Sequence, residues 1–395
     1  MRRATGLRMS SYVRVAGIVL IVAALATPVT GCVFFRYRPI PDPGPSLDLE
    51  IRTWHDLDAV RDNLAGHHRL MNDLDSTTAG YEDLAGPTAD NGKGWLRLGT
   101  GHFNDPNFYL AFTGTFDGQG HEIRGLSQSR SAVGLFGYVA PGGVIENLAI
   151  VDATVIGHRP VAALAATNAG IVSNCSSSGN VTGDFSVGGL VGQNSGAVNN
   201  CYSRASVAGR DIDAGGLVGW NDGGSVSNSY ATGSVTGGFA VGGLVGRNVG
   251  GTVSNSYATG PVIAPEQSGL GGFVGYNRRG TIINCYSTGS VHYEGVADPT
   301  NKGFAGLVDT GDRYEMAGNF WDIETSGQLS TAGDATGRTT AEMMDIGTFT
   351  DTETEGLDEP WDMVAVADTD QRNPAHVWNI VDGQTYPFLS WETVA

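Results

Sequence analysis

The sequence predicts an all-β chain: a right-handed parallel β-helix with three short strands per turn and about seven turns. A small α/β cap closes its N-terminal end and a second cap its C-terminal end. Three observations predict this. First, a phrase recurs: GGLVGWNDGGSVSNSYATG at 215–233 and GGLVGRNVGGTVSNSYATG at 242–260 share sixteen of nineteen letters. Second, the core of that phrase returns with leading residues Leu135, Leu164, Leu190, Leu217, Leu244, Phe273 and Leu307, at intervals of 26 to 34 residues. Self-similarity at such a period marks a solenoid or array. Third, each unit is rich in Gly, Ser, Val, Thr and Asn, which disfavour helix. Its three apolar stretches are short, as in LV at 190–191, AVNNCYS at 197–203 and ASVA at 205–208. Parallel strands on successive turns then stack at about 4.8 Å. A β-propeller is the alternative, but its blade needs a unit of about 40–45 residues.

The elements follow in order. Residues 1–32 are a targeting segment: Arg2, Arg3, Arg8 and Arg14 precede an apolar run, Val15 to Ala26, that is short for a membrane span. It ends in VTGC, Val29 to Cys32, which resembles the lipobox of bacterial lipoproteins. That resemblance implies that Cys32 carries the lipid and that the chain is membrane-anchored at the cell surface, on the outer membrane or the outer face of the cell membrane. An uncleaved anchor helix is the other reading. Residues 33–48 hold four prolines and form an extended tether.

Residues 49–133 form the N-terminal cap. Thr53 starts a short helix with Trp54, Leu57, Val60 and Leu64 on one face and Gly66 beyond its end. Residues 134–308 carry the repeat. Residues 309–395 lose it, become acidic between Asp345 and Asp370, and contain Trp321, Trp361, Trp378 and Trp391. They are a C-terminal cap or a small appended module.

Side-chain direction is read from VIENLAIVDATV, starting at Val144. Asn147 sits at a bend, and Leu148 and Ile150 point inward on alternate positions. In later units the Leu148 column becomes Cys175, Cys201, Ser229, Ser256 and Cys285. The column beside it then faces outward and holds Tyr202, Tyr230, Tyr257 and Tyr286. Strict alternation from Val226 would instead turn Asn228 and Tyr230 inward.

Two Asn columns recur. One contains Asn168, Asn194, Asn221, Asn248 and Asn277; the other Asn147, Asn174, Asn200, Asn228, Asn255 and Asn284. Stacked Asn side chains bond to one another as in cross-β ladders, and Asn tolerates a left-handed bend, so both columns read as structural. Cys175 and Cys201 share a column on adjacent turns, close enough for a disulfide. Buried free thiols are the alternative.

The units GGLVG.N at 188–194, 215–221 and 242–248, GGFVGYN at 271–277, and the following N-C/S-Y resemble the GLUG-motif repeats of bacterial and archaeal surface proteins. IRTWHDLDAV and FTGTFDGQGHEIRGL resemble that family's leader, and NFWDIETSG and YPFLSW its tail. The resemblance implies a β-helix placed outside the cell. It implies no single reaction.

The chemistry-bearing residues are few. Glycoside cleavage needs two carboxylates facing one groove. Asp211 and Asp213 in GRDIDAGG are the weak catalytic candidates, with no carboxylate expected from a neighbouring turn and a solvated loop as the alternative. His121-Glu122 lacks the second His of a metallopeptidase helix, and no phosphate loop, serine elbow or paired-Cys zinc motif occurs. No metal site is expected, although Asp73, Asp75 and Asp117 could gather around Ca2+. The net charge of -18 argues against a nucleic-acid partner.

The tyrosine column is the leading binding feature, since aromatic faces stack on sugars or on other aromatics. Trp220 and Tyr276 share a further column with Gln193 and Arg247. The expected function is adhesion to, or binding of, an extracellular polysaccharide or surface protein, with no catalysis. A carbohydrate-active lyase or glycosidase and a purely structural envelope protein are the alternatives.

Overall fold

The structure, a computed structural model, describes residues 48–99, 110–265, 269–295, 297–309 and 314–392. The leader with Cys32 and residues 33–47 of the predicted tether lie outside the described residues. The chain winds into a parallel β-solenoid with three faces: a first sheet of ten strands, a branched second sheet of sixteen and a third sheet of seven.

Strict register builds the core. On the first sheet, Phe116, Ile145, Val172, Val198, Val226, Val253, Ile282 and Met316 lie one above another, all buried. Val181, Val207, Val235, Val262 and Val291 do the same on the second sheet. Phe136, Ala165, Val191, Val218, Val245, Val274 and Ala305 do so on the third. One coil has too few residues to surround an apolar centre, so each depends on its neighbours. The last repeat start differs from the sequence alignment. Phe304, not Leu307, continues the Leu244–Phe273 column: its ring stacks on Phe273 at 4.6 Å, while Leu307 is 38% exposed. The segment GFAGLV offers two overlapping matches, and burial of the larger ring decides between them.

The bend assignment sets the side-chain directions. Asn147, Asn174, Asn200, Asn228, Asn255 and Asn284 all adopt φ between 47° and 55°. Asn accepts this left-handed conformation where most residues would be strained. The bend turns Leu148, Cys175, Cys201, Ser229, Ser256 and Cys285 inward, and all six are buried. The small polar ones are satisfied locally: Ser229 Oγ donates to the Ser227 carbonyl at 2.7 Å and Ser256 Oγ to the Ser254 carbonyl at 2.7 Å.

The second Asn column is an internal ladder. Asn168, Asn194, Asn221, Asn248 and Asn277 are fully buried, and each of the first four donates through Nδ2 to Oδ1 of the next at 2.8–2.9 Å. Asn221 also donates to the Gly224 carbonyl at 3.0 Å. Replacing Asn221 by Ala strands groups on both neighbouring coils. Its expected cost is about 2–4 kcal/mol, read as a lower denaturation midpoint. An unchanged midpoint would mean that the ladder follows the coil without holding it.

At the N-terminal end Thr53 and Asp56 form a reciprocal capping box on the helix Trp54–Ala59. Trp54, Leu57 and Val60 are buried against the first coils. At the other end, the strands Glu315–Ala317, Phe320–Asp322 and Thr336–Arg338 continue the solenoid sheets. Residues 340–392 then fold as a compact piece around the three-stranded sheet Met363–Ala365, Trp378–Ile380 and Phe388–Leu389. This piece does more than cover the last coil. Its core is continuous with Tyr230, Tyr257 and Tyr286, so it lies along the side of the stack.

Candidate functional site

The aromatic columns are built by register. Tyr202, Tyr230, Tyr257 and Tyr286 sit on successive strands of the second sheet, facing away from the solenoid interior. Their rings stack nearly parallel with centroids 4.8–5.0 Å apart. That is the strand spacing itself. They do not form an open ligand surface. Tyr230, Tyr257 and Tyr286 retain 4%, 7% and 2% exposure because Trp361, Trp378, Trp391 and Tyr386 of the C-terminal piece cover them. The proposed binding role of these three tyrosines is therefore corrected to packing. Tyr202, at the end of the column, stays half-buried, with the Arg204 guanidinium 5.0 Å from its ring centre.

Polar groups fasten the cover. Tyr257 donates to Glu392 Oε2 at 3.0 Å and Tyr286 to the Pro387 carbonyl at 2.6 Å. Trp391 Nε1 donates to the Asn228 carbonyl at 3.1 Å. Burial pushes the hydroxyl pKa of all three covered tyrosines upward. Burial also pushes the Glu392 carboxyl up to about 7, against the opposing pull of the Leu389 N–H and the Tyr257 hydroxyl.

A second column remains open on the third sheet. Tyr138, Thr167, Gln193, Trp220, Arg247, Tyr276 and Leu307 pair in register along the outside of the coils. All are partly or fully exposed. Arg247 lies 5.6 Å from the Tyr276 ring centre. Its Nε is also 2.8 Å from Asp213 Oδ1, an ion pair at the margin of the sheet.

The approach of Asp213 to this sheet has a steric cause. Gly219, Gly246 and Gly275 lie where a Cβ would come within 2.4–2.7 Å of the backbone of Ser186, Ala214 and Ala240. Only glycine lets that corner fold so closely onto the sheet.

The two carboxylates singled out for catalysis separate. Asp211 is exposed, whereas Asp213 is 4% exposed and paired with Arg247. Burial raises the Asp213 pKa to about 6 despite the attraction of Arg247. A neighbouring carboxylate that sequence reasoning missed sits at the same corner. Asp184 pairs with His158 at 2.7 Å and with Arg210 at 3.2 Å. Its pKa is lowered, chiefly by the His158 hydrogen bond and also by Arg210. The signal was the register of Gly183 with Gly209, which sets Asp184 opposite Arg210.

The remaining candidates are placed as follows. Cys175 and Cys201 are free, buried thiols, not a disulfide. The Cys175 N–H points to Cys201 Sγ at 3.4 Å, and each thiol donates to a nearby carbonyl, of Ser173 and of Asn199. Asp73 bonds His121 and the Glu122 N–H, Asp75 bonds Thr77, and Asp117 bonds Gln119 and Asn147. Each serves its own turn, and among the described residues no three His, Cys, Asp or Glu side chains converge as for a metal.

Comparison with known proteins gives three likenesses. Residues 212–236, 237–263 and 266–291 each match the family model described as the GLUG motif. A 155-residue stretch is 32% identical to halomucin of Haloquadratum walsbyi (strain DSM 16790 / HBSQ001). It covers 35% of this chain and spans only 2% of halomucin's length. A Bacteroides ovatus crystal structure, of a protein assigned as an immunoglobulin A1 protease, superposes with a TM-score of 0.54. That alignment covers 87% of this chain and 92% of the other at 19% identity, a likeness of fold. Three consecutive coils of the parallel β-solenoid, within residues 212–291, thus carry the GLUG motif.

Proposed function

We propose that this is a cell-surface binding protein, anchored through a lipid on Cys32, which adheres to an extracellular polysaccharide or surface protein and performs no catalysis. The observation that carries the reading is the open column on the third sheet. Trp220, Arg247 and Tyr276 stand on adjacent coils at strand spacing, on a flat face that the C-terminal piece leaves uncovered. Aromatic faces with a cation between them suit the ring faces and hydroxyls of a sugar chain running along the stack. The likeness to halomucin and the GLUG repeats support placement at the surface. The pairing of Asp213 with Arg247 supports a positioning role for that carboxylate, since a buried carboxylate held by an arginine is poorly placed to attack a glycosidic bond.

The test incubates the protein with cell-wall and extracellular polysaccharides and scores both retention and new sugar ends. Retention without cleavage is expected, falling about tenfold or more when Trp220→Ala and Tyr276→Ala are combined. Undiminished retention in that variant would remove the site. New sugar ends would replace binding by catalysis, and retention on no polysaccharide would move the partner to protein.

A further inference from the structure

The seam between the solenoid and its C-terminal piece holds a cleft of about 320 Å³. Its walls come from both sides. Asn200 and Asn228 of the bend column face Asp362, His376, Val377 and Trp391. We infer that this cleft is a second binding site, distinct from the open column, for a single neutral sugar ring.

Four features point to that chemistry. Asn228 Oδ1 is buried and has no hydrogen-bond partner. The rest of Asn228 is committed: Nδ2 donates to Asn199 Oδ1 at 3.3 Å and its carbonyl accepts from the Trp391 indole. Its backbone is pinned at φ 48°. A buried acceptor without a donor is costly, so a slight opening of the seam that brings an O–H or N–H to this oxygen is favoured.

His376 supplies a second hydrogen-bonding group. Its Nδ1 lies 2.7 Å from Asp362 Oδ1, while Asp362 Oδ2 accepts the Val377 N–H at 3.2 Å. That contact holds the ring in place and leaves Nε2 to exchange a hydrogen bond with a ligand hydroxyl. Val377 and Trp391 add apolar surface of the kind that packs on the C–H face of a pyranose. No Lys or Arg lines the cleft, and Asp362 makes it electronegative, which disfavours anionic sugars and phosphates. The volume is at the low end of small-molecule pockets and suits one hydrated ring rather than a long chain.

Because the ligand would touch both sides of the seam, binding would also tighten the cover over the tyrosines. The test titrates the full chain with glucose, galactose, mannose, N-acetylglucosamine, glucuronate and methylamine. Saturation-transfer NMR and the melting of the C-terminal piece are the two readouts. At least one neutral pyranose is expected to bind saturably and to raise that melting temperature.

Asn228→Gly keeps the left-handed bend without strain and removes the orphan acceptor. It is expected to weaken binding about tenfold, with melting of the free protein little changed. His376→Ala, at a half-exposed position, is the second variant and should act in the same direction. No saturable sugar binding, full binding in both variants, or preference for glucuronate or methylamine would overturn the inference. Trp220→Ala with Tyr276→Ala alters a different face and should leave this titration unchanged, so the two sites succeed or fail separately.

Discussion

Replacing Trp378 by Ala is expected to release the C-terminal piece from the tyrosine column while the solenoid stays folded. Trp378 is fully buried, with its ring 6.2 Å from Tyr257, 5.8 Å from Tyr286 and 4.9 Å from Trp361. Truncating a buried indole costs about 3–5 kcal/mol through lost contacts and the cavity left behind. That is a large fraction of what a small folded piece possesses. The solenoid core is a separate cluster of Val, Leu and Ile that Trp378 does not enter. Thermal unfolding followed by tyrosine and tryptophan near-UV signals should therefore split into an early and a late transition. Protease should cut within 340–392 first. A single transition at the original temperature would show that the cover is held by other contacts.

The second large effect concerns pH. Glu392 is buried beside the tyrosines, and its carboxyl is pushed up to about 7 from an ordinary 4.5. The charged and titratable groups facing it are Tyr230, Tyr257, Tyr286, Arg204 and Arg372. The folded state thus holds a proton that the unfolded state releases first. Stability from this group is complete below pH 4.5 and declines as pH rises to about 7, by about 3 kcal/mol over that window. Asp213, raised to about 6, has the same sign over a lower window, so wild type must be compared with Glu392→Gln. The variant should lose the part of the decline nearest pH 7 and melt higher than wild type at pH 8. Equal slopes in the two proteins would place the titration elsewhere.

Much of this fold is written in the period. Repeating Val at one position and Asn at two others dictates coil length, interior and bend, because each coil must register on the next. The Asn147 bend decides which way Tyr230 points, and a single divergent unit, with Leu148 and Ile150, reveals it. What lies on the outer face is a different matter. A repeat describes contacts between copies of itself, and nothing periodic encodes the piece that packs across it. The clue was two unmatched aromatic surfaces in one chain, the four tyrosines and Trp361, Trp378 and Trp391. Charge pairing across coils, as between Asp184 and Arg210, requires register at a bulge, where the strands shift between Gly183 and Phe185.

The C-terminal piece reaches from Tyr202 to Phe320, across five successive strands of one column. At strand spacing this is a span of about 19 Å. It therefore works as a gauge for the number of coils. Each coil contacts only its neighbours, so the stack alone would accept a 27-residue unit gained or lost. A coil gained or lost between Tyr202 and Phe320 would throw the tryptophans out of step with the rings they cover. One added before Tyr202 would leave that match intact. A coil gained or lost in the N-terminal half would therefore leave the brace undisturbed.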